Sequence, residues 1–387
     1  MVKKIRKTPP AAAQKVVRLK RKRAEMDYTF LTLVIVMVCV GMIMLLSASA
    51  PTGNTKFGNS YYFFLKQLQF VVVGFIAMII ISRIDYRMYK PHTRLFMIIC
   101  LVLLAMVFIP KIGVEHNGSR RWLNLYFTEL QPSELMKLAI VMFFAAMIED
   151  RKYEIQKFRG MLPFFCWIGV TAILLLMETH LSATIIICGM AVIVMIVGGA
   201  NIKFFIGAAL AGAPVGFLLV RMDPVRWERV TSFLNPFADT QDTGYQVVQG
   251  LYAIGSGGIF GRGLAQSVQK YTYLPEPYND FIFAIICEEL GLIGAALIIG
   301  LFIALIMRGI KIAMDAPDTF GSLIVVGIMA QIAIQTIFNI AVVTSSIPNT
   351  GISLPFFSYG GTAIMILLAE MGIVLSVSRY SRRGIEK

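Results

Sequence analysis

The sequence predicts an all-α polytopic membrane protein of ten transmembrane helices, with one long extracytoplasmic loop between the seventh and the eighth. Three observations lead there. Of 387 residues, 57% are hydrophobic and only 15% charged, whereas soluble domains average about 25% charged residues. The apolar residues come in continuous Ile/Leu/Met/Val runs of a length that spans a bilayer as helix, not in the short alternating segments of a barrel. The basic residues fall unevenly between alternate loops.

The runs are 28–49, 65–82, 95–110, 131–149, 161–177, 181–198, 203–220, 281–307, 321–344 and 354–378. The first is too long for a signal-peptide core and has no convincing cleavage site after it, so it reads as a retained span. Residues 1–26 form a basic tail ahead of it, 27–380 the membrane domain, and 381–387 a short C-terminal tail. A cytoplasmic N-terminus puts the loops 83–94, 150–160, 199–203 and 308–320, and the C-terminus, inside as well. Together these segments, with the last taken as 379–387, hold 25 of the 36 Lys and Arg residues, as the positive-inside rule requires. The formal charge of +14 is therefore concentrated at the membrane surface and in a solvated tail. It does not mark a nucleic-acid binder, although the tail could touch anionic membrane lipids.

The opposite face carries loops 50–64, 111–130, a tight turn around Glu178, Thr179 and His180, the long loop 221–280, and 345–353. Within the long loop, 225–237 alternates apolar and basic residues at near-helical spacing and suits the interface plane. Residues 244–263, GYQVVQGLYAIGSGGIFGRG, read as a re-entrant or interfacial helix whose glycines permit close backbone approach. Their spacing fits no phosphate-binding P-loop. In 345–361, Pro348 and Pro355 break helix and make a candidate cavity wall. The five cysteines all lie in predicted spans without CxxC spacing, which argues for packing over disulfides or metal. His92, His116 and His180 are scattered and receive no catalytic role.

A few charged residues stand out. Asp280 sits where a polar loop meets an apolar helix, as helix cap or as reactive carboxylate. Glu288 and Glu289 lie about two turns further in, so at least one needs a basic or polar partner from another span. Glu134 and Lys137 are spaced i,i+3 at the head of the fourth span, as an internal ion pair or as part of a polar cavity. Arg120, Arg121 and Trp122 stand on the face that is otherwise poor in positive charge. Trp122 alone would be an interfacial anchor; two arginine forks beside it suit an anion.

These segments together resemble the SEDS family of bacterial polytopic proteins, the FtsW/RodA/SpoVE group. The matching pieces are GSRRWLNL at 118–125, QPSELMKLA at 131–139, GYQVVQGLYAIGSGGIFGRGL at 244–264, QKYTYLPEPYNDFIFAIICEELGLIG at 269–294 and PNTGISLPFFSYGG at 348–361. They occur in family order and cover the chain from about residue 27. The QK-x-x-YLPE form is more similar to the FtsW/SpoVE branch. Where many relatives have His-Thr before the key Asp, this chain has Tyr278-Asn279.

The resemblance implies a peptidoglycan glycosyltransferase in the bacterial cytoplasmic membrane, active on its outer face, polymerising lipid II for division or sporulation. It implies Asp280 as the general base. The groups expected to meet substrate are Arg120, Arg121, Trp122, Glu134, Lys137, Lys270, Glu276 and Ser358, with Arg226 and Arg229 as weaker candidates. Partners implied are the nascent glycan strand, a class B penicillin-binding protein, divisome proteins and membrane lipids. No cofactor is required on this reading, with a divalent cation (Mg or Mn) as the option. The alternatives are a lipid II flippase, built around a polar cavity at Glu134, Lys137, Glu288 and Glu289, and a non-catalytic scaffold for the penicillin-binding protein.

Overall fold

The computed structural model describes residues 25–116, 119–125, 128–151, 154–222, 224–234, 236–237, 244–271 and 273–381. The chain runs through α1 (Tyr28–Phe57), α2 (Tyr62–Arg83), a 3-10 segment (Tyr86–His92) and α3 (Thr93–Met106). A small antiparallel sheet follows, β1 (Gly113–His116), β2 (Ser119–Asn124) and β3 (Glu129–Leu130). Then come α4 (Pro132–Asp150), α5 (Phe158–Met177), α6 (Leu181–Val197) and α7 (Ile202–Met222). Two shorter helices, α8 (Pro224–Leu234) and α9 (Tyr245–Gly257), precede α10 (Ile282–Asp315), α11 (Thr319–Val343) and α12 (Gly361–Ser378).

Eight helical segments among the described residues are long and apolar enough to cross a membrane. They are α1, α2, the joined segment Tyr86–Met106, α5, α7, α10, α11 and α12. α6 is shorter, and α4 carries Glu134, Lys137, Glu149 and Asp150 along its 19 residues. These two occupy the positions of the expected sixth and fourth spans. Many large apolar side chains point outward, such as Ile76, Ile80, Leu297, Ile303 and Ile337, which suits a lipid surround better than water. At the centre, α11 packs on α10, α4 and α6, while α12 lies along α2.

Several expected boundaries move. α1 continues to Phe57, past the expected end at 49, and stops only at Gly58 in the left-handed conformation (φ 65°). The last helix begins at Gly361, not at 354, because Pro355 is followed by Phe356 at φ 68°. The second outer loop contains the β-sheet, a form the all-helical reading did not anticipate. The long loop carries two helices, α8 and α9.

The ends of the bundle differ in their chemistry. At the end away from Asp280, ion pairs tie neighbouring elements. Asp27 caps α1 through the Phe30 amide (2.9 Å) and receives Arg308 Nε on both oxygens at 3.0 and 2.9 Å. Asp318 caps α11 and accepts from Tyr86 Oη (2.6 Å) and Arg87 Nε (2.8 Å). Lys90 pairs with Glu149 and Asp150.

The eighth expected span is not one continuous helix. α10 breaks at Gly291 (φ 67°, ψ −168°). The break frees backbone groups, and the segment after α9 takes them up. Arg262 N donates to Glu288 O (2.9 Å) and Gly263 N to Glu289 O (3.0 Å). In return Leu292 N donates to Gly258 O (3.0 Å) and Ile293 N to Ile259 O (3.2 Å). Non-helical backbone in an apolar layer persists only where protein satisfies it, and this exchange does so. It requires Gly291 to pack on backbone: a Cβ there would lie 2.3 Å from Gly261 N. Gly291→Ala is therefore expected to cost at least about 2 kcal/mol, from the positive φ and the clash together. Thermal unfolding in detergent checks it, and an unchanged Tm would contradict this account of the break.

Candidate functional site

The N-cap of α10 is Phe281, which makes no side-chain cap, and Asp280 sits one residue earlier, half-buried. Its position is set through its backbone. Asn339 of α11 donates from Nδ2 to Asp280 O and to Ile352 O, both at 2.7 Å. One amide thus joins the start of α10 to the loop 345–360. That loop reaches the carboxylate itself: a Cβ on Gly351 (φ 67°) would lie 3.8 Å from Asp280 Oδ2.

Further bonds fix the same loop. Ser358 Oγ donates to Asn279 O (2.5 Å) and accepts from Leu354 N (2.8 Å), and Tyr359 N donates to Tyr278 O (2.9 Å). Asn349 Nδ2 donates to Gln246 Oε1 of α9 (3.0 Å), and Ser182 Oγ at the head of α6 donates to Thr350 O. The rings of Phe63, Tyr278 and Tyr359 pack together, with centroids 4.4 to 6.1 Å apart. Glu276 is exposed in a left-handed turn (φ 43°) and accepts from Asn279 Nδ2 at 2.8 Å. Of the two, Glu276 is open to a ligand, while Ser358 is buried and its hydroxyl holds backbone.

Glu288 and Glu289 are both fully buried and both partnered. Lys270 Nζ contacts Glu289 Oε1 at 2.7 Å and donates to Ser47 Oγ of α1 at 2.9 Å. Ser47 and the amides of Ala265 and Ser267 complete the Glu289 shell. Glu288 accepts from Ser267 Oγ (2.5 Å) and Val268 N (2.9 Å), with Arg262 4.0 Å away. Lys270 is only 3% exposed. Its ammonium is committed to this network, so it holds the segment leading to Asp280 against α10 and α1.

A second network lies across the site. Glu134 and Lys137 form the i,i+3 pair at 2.8 Å, with Lys137 only 2% exposed. Glu370 of α12, completely buried, faces that pair, and Gln331 of α11 lies beside it. Arg120 is exposed on β2 and bonds Glu115 at 3.0 Å. Arg121, on the other side of the strand, donates to Thr179 O at 2.6 Å. Trp122 sits between them and Leu123, paired across the sheet with Val114. The sheet so brings Arg121 to the turn between α5 and α6. There burial pushes the Glu178 carboxyl up to about 8, against the opposing charge of Arg121. Burial, with Arg121 and Lys137 facing it, lowers His180 to about 3. Arg226 and Arg229 have side chains outside the described residues.

Sequence reasoning missed Asn339, Gly351, Ser47 and the burial of Glu178. Asn339 had a signal, as an amide inside an apolar run; the others depend on tertiary approach. Among the described residues no group of three or more His, Cys, Asp or Glu side chains could hold a metal ion.

The model of the cell cycle protein family FtsW/RodA/SpoVE matches residues 27–383. The chain is 43% identical over 363 residues to stage V sporulation protein E of Bacillus subtilis (strain 168), covering 93% of this chain and 99% of that one. It is 35% identical over 353 residues to the probable peptidoglycan glycosyltransferase FtsW of Geobacter metallireducens, covering 91% and 94%. Among solved structures it is similar to a chain of a peptidoglycan synthase complex studied for its coordination of polymerization and crosslinking (TM-score 0.78, 25% identity, 92% and 99% covered). It also shares the fold of the rod shape determining protein RodA of Thermus thermophilus (TM-score 0.68, 24% identity, 92% and 98% covered).

Two outcomes follow from the networks. Lys270→Met leaves a buried carboxylate uncompensated and is expected to cost about 3–5 kcal/mol, most of it recovered in the double variant with Glu289→Met. Chemical unfolding of the four proteins in detergent measures this, and simple additivity would show that the pair is not coupled. For Glu178, the raised folded value means the native state holds its proton more tightly than the unfolded chain. Its contribution to stability is then fully present below about pH 4.5 and is lost as pH rises through about 8. Glu178→Gln should remove that decline, so its Tm should gain on wild type between pH 5 and 8.5; parallel curves would refute the shift.

Proposed function

Since the chain belongs to the FtsW/RodA/SpoVE family of cell cycle proteins, we propose that it is a peptidoglycan glycosyltransferase that polymerises lipid II, with Asp280 as its general base. The activity is that given to relatives about 35% identical over nine-tenths of the chain. The observation that best supports the role of Asp280 is its setting. It is a half-buried carboxylate, its backbone fixed through Asn339, with Gly351 lying against its oxygen.

In the reaction, a sugar hydroxyl of one substrate attacks the anomeric carbon of the other. The new glycosidic C–O bond forms as the bond to the diphosphate oxygen breaks, with inversion at carbon. The hydroxyl proton passes to Asp280 and from there to water. Diphosphate leaves as a stable anion, so no second carboxylic acid is needed, in contrast to glycosidases. Positive charge near the departing oxygens lowers the barrier. Lys137 and Lys270 are buried in ion pairs, so that charge falls to the guanidinium groups of Arg120 and Arg121. Arg120, exposed and in a single surface pair, can exchange Glu115 for diphosphate at small cost.

The end of the bundle that carries Asp280 faces outward from the cytoplasmic membrane on this reading, with both termini inside. The partner is a class B penicillin-binding protein, whose transpeptidase links the strands made here; the family's structural relative from a synthase that coordinates polymerization and crosslinking supports that pairing. Divisome proteins are expected around it when the chain serves division. Glu276, exposed next to Asn279, is open to the glycan strand.

Asp280→Asn retains size and hydrogen bonding but not basicity. Polymerisation of purified lipid II by the protein with its partner should drop by roughly 10²–10⁴-fold while the chain still folds. Near-normal turnover would remove Asp280 from the base role. For orientation, cysteines placed at Ser119 and Thr350 should react with an impermeant reagent in wall-permeabilised cells. Cysteines at Met88 and Lys311 should react only after lysis; the opposite pattern would turn the site away from the wall.

A further inference from the structure

Four polar atoms beside the site have no hydrogen-bonding partner among the described residues. They are both carboxylate oxygens of Glu178, Nδ1 of His180 and Oγ1 of Thr350. Glu178 is only 2% exposed, and a buried acceptor left unsatisfied is costly. The atoms belong to two segments that touch. Ser182, one turn past Glu178, donates its hydroxyl to the carbonyl of Thr350. The next residue, Gly351, flanks the Asp280 carboxylate. Gln131 at the head of α4 brings Nε2 to 3.5 Å from His180 Nε2, and Arg121 closes the far side on Thr179 O. Ser182 and Gly351 therefore join the segment that carries Glu178 and His180 to the loop that flanks Asp280.

We propose that Glu178, His180 and Thr350, with Gln131, form a saccharide subsite that takes hydroxyl and acetamido groups of the sugar presented to Asp280. This rests on the glycosyltransferase reading and adds to it the residues that read the sugar. The chemistry selects the ligand. The set mixes a carboxyl, an imidazole, a hydroxyl and a carboxamide, so it offers donors and acceptors side by side. Sugar hydroxyls are likewise both. An acetamido group adds one N–H donor and one carbonyl acceptor. A diphosphate carries acceptors alone and would leave the acceptor capacity of Glu178 unmet. Burial keeps His180 a neutral imidazole, able to accept at one nitrogen and donate at the other.

The test measures binding in the Asp280→Asn background, where turnover does not interfere. Two probes are used: undecaprenyl diphosphate, and the same lipid carrying the N-acetylated disaccharide without its peptide. Glu178→Ala and His180→Ala should each weaken the disaccharide lipid by about tenfold, the worth of one lost hydrogen bond to a buried group. Both should bind undecaprenyl diphosphate as the parent does. Equal weakening of both probes would show a diphosphate site and overturn the proposal; no weakening of either would overturn it as well. Should the alanine variants fail to fold by thermal melt, Glu178→Met, of similar size but without hydrogen-bonding groups, and Thr350→Val are read by the same two criteria. With Asp280 restored, a chain that polymerises lipid II while these variants keep the parent's KM defeats the subsite alone. A wild-type chain that neither favours the disaccharide probe nor polymerises lipid II defeats the underlying activity.

Discussion

The architecture around Asp280 depends on two adjacent carboxylates buried in α10. Taking Glu288 and Glu289 out of water is costly unless each finds charge and hydrogen bonds nearby. The chain meets that demand with residues 262–270, which supply Lys270, the Ser267 hydroxyl and three backbone amides. A further two amides reach the carbonyls of the same two residues. The segment that leads to Asp280 is therefore bonded to the helix that follows Asp280. Removing the carboxylates would leave a loop; with them it is a strap of fixed position.

Asn339 extends that logic to a third element. Its amide holds the Asp280 carbonyl and the Ile352 carbonyl at equal distance, so α11 positions both walls of the site at once. Ser358 does the same from the opposite side. The polar side chains of the region divide into those that hold backbone, such as Asn339, Ser358 and Ser182, and those with capacity left over, such as Glu178 and Thr350. The groups a flippase would need along one cavity are instead split. Glu134 and Lys137 lie in one network with Glu370, and Glu288 and Glu289 lie in another with Lys270.

Much of this was legible in the sequence. Continuous apolar runs announced the helices, eight of which among the described residues are long and apolar enough to cross a membrane, and the border of loop and helix placed Asp280 just ahead of α10. The i,i+3 spacing of Glu134 and Lys137 foretold their pairing, and the need of one of Glu288 and Glu289 for a basic or polar partner from another span is met by Ser47 of α1, with Lys270 joining from the loop. What could not be read was which residue answers which. Lys270 was expected at the substrate because a lysine in a polar loop looks available; only its approach to α10 shows it enclosed. Asp280 reads in the sequence as helix cap or as reactive carboxylate, and the assigned N-cap of α10 is the next residue, Phe281. The break at Gly291 escaped notice because LGLIG carries no proline, and glycine inside a span is ordinary. The sheet at 113–130 was hidden because its strands are short and its partners local.

Two ammonium groups enclosed in this way are chemically silent. Lys137 and Lys270 expose almost none of their side chains, and each sits against a carboxylate, so an acylating reagent that modifies surface lysines meets neither while the fold is intact. One belongs to the α4 side of the site and the other to the α10 side. The order in which they become reactive under mild denaturation records which half of the bundle opens first, with no reporter added to the chain.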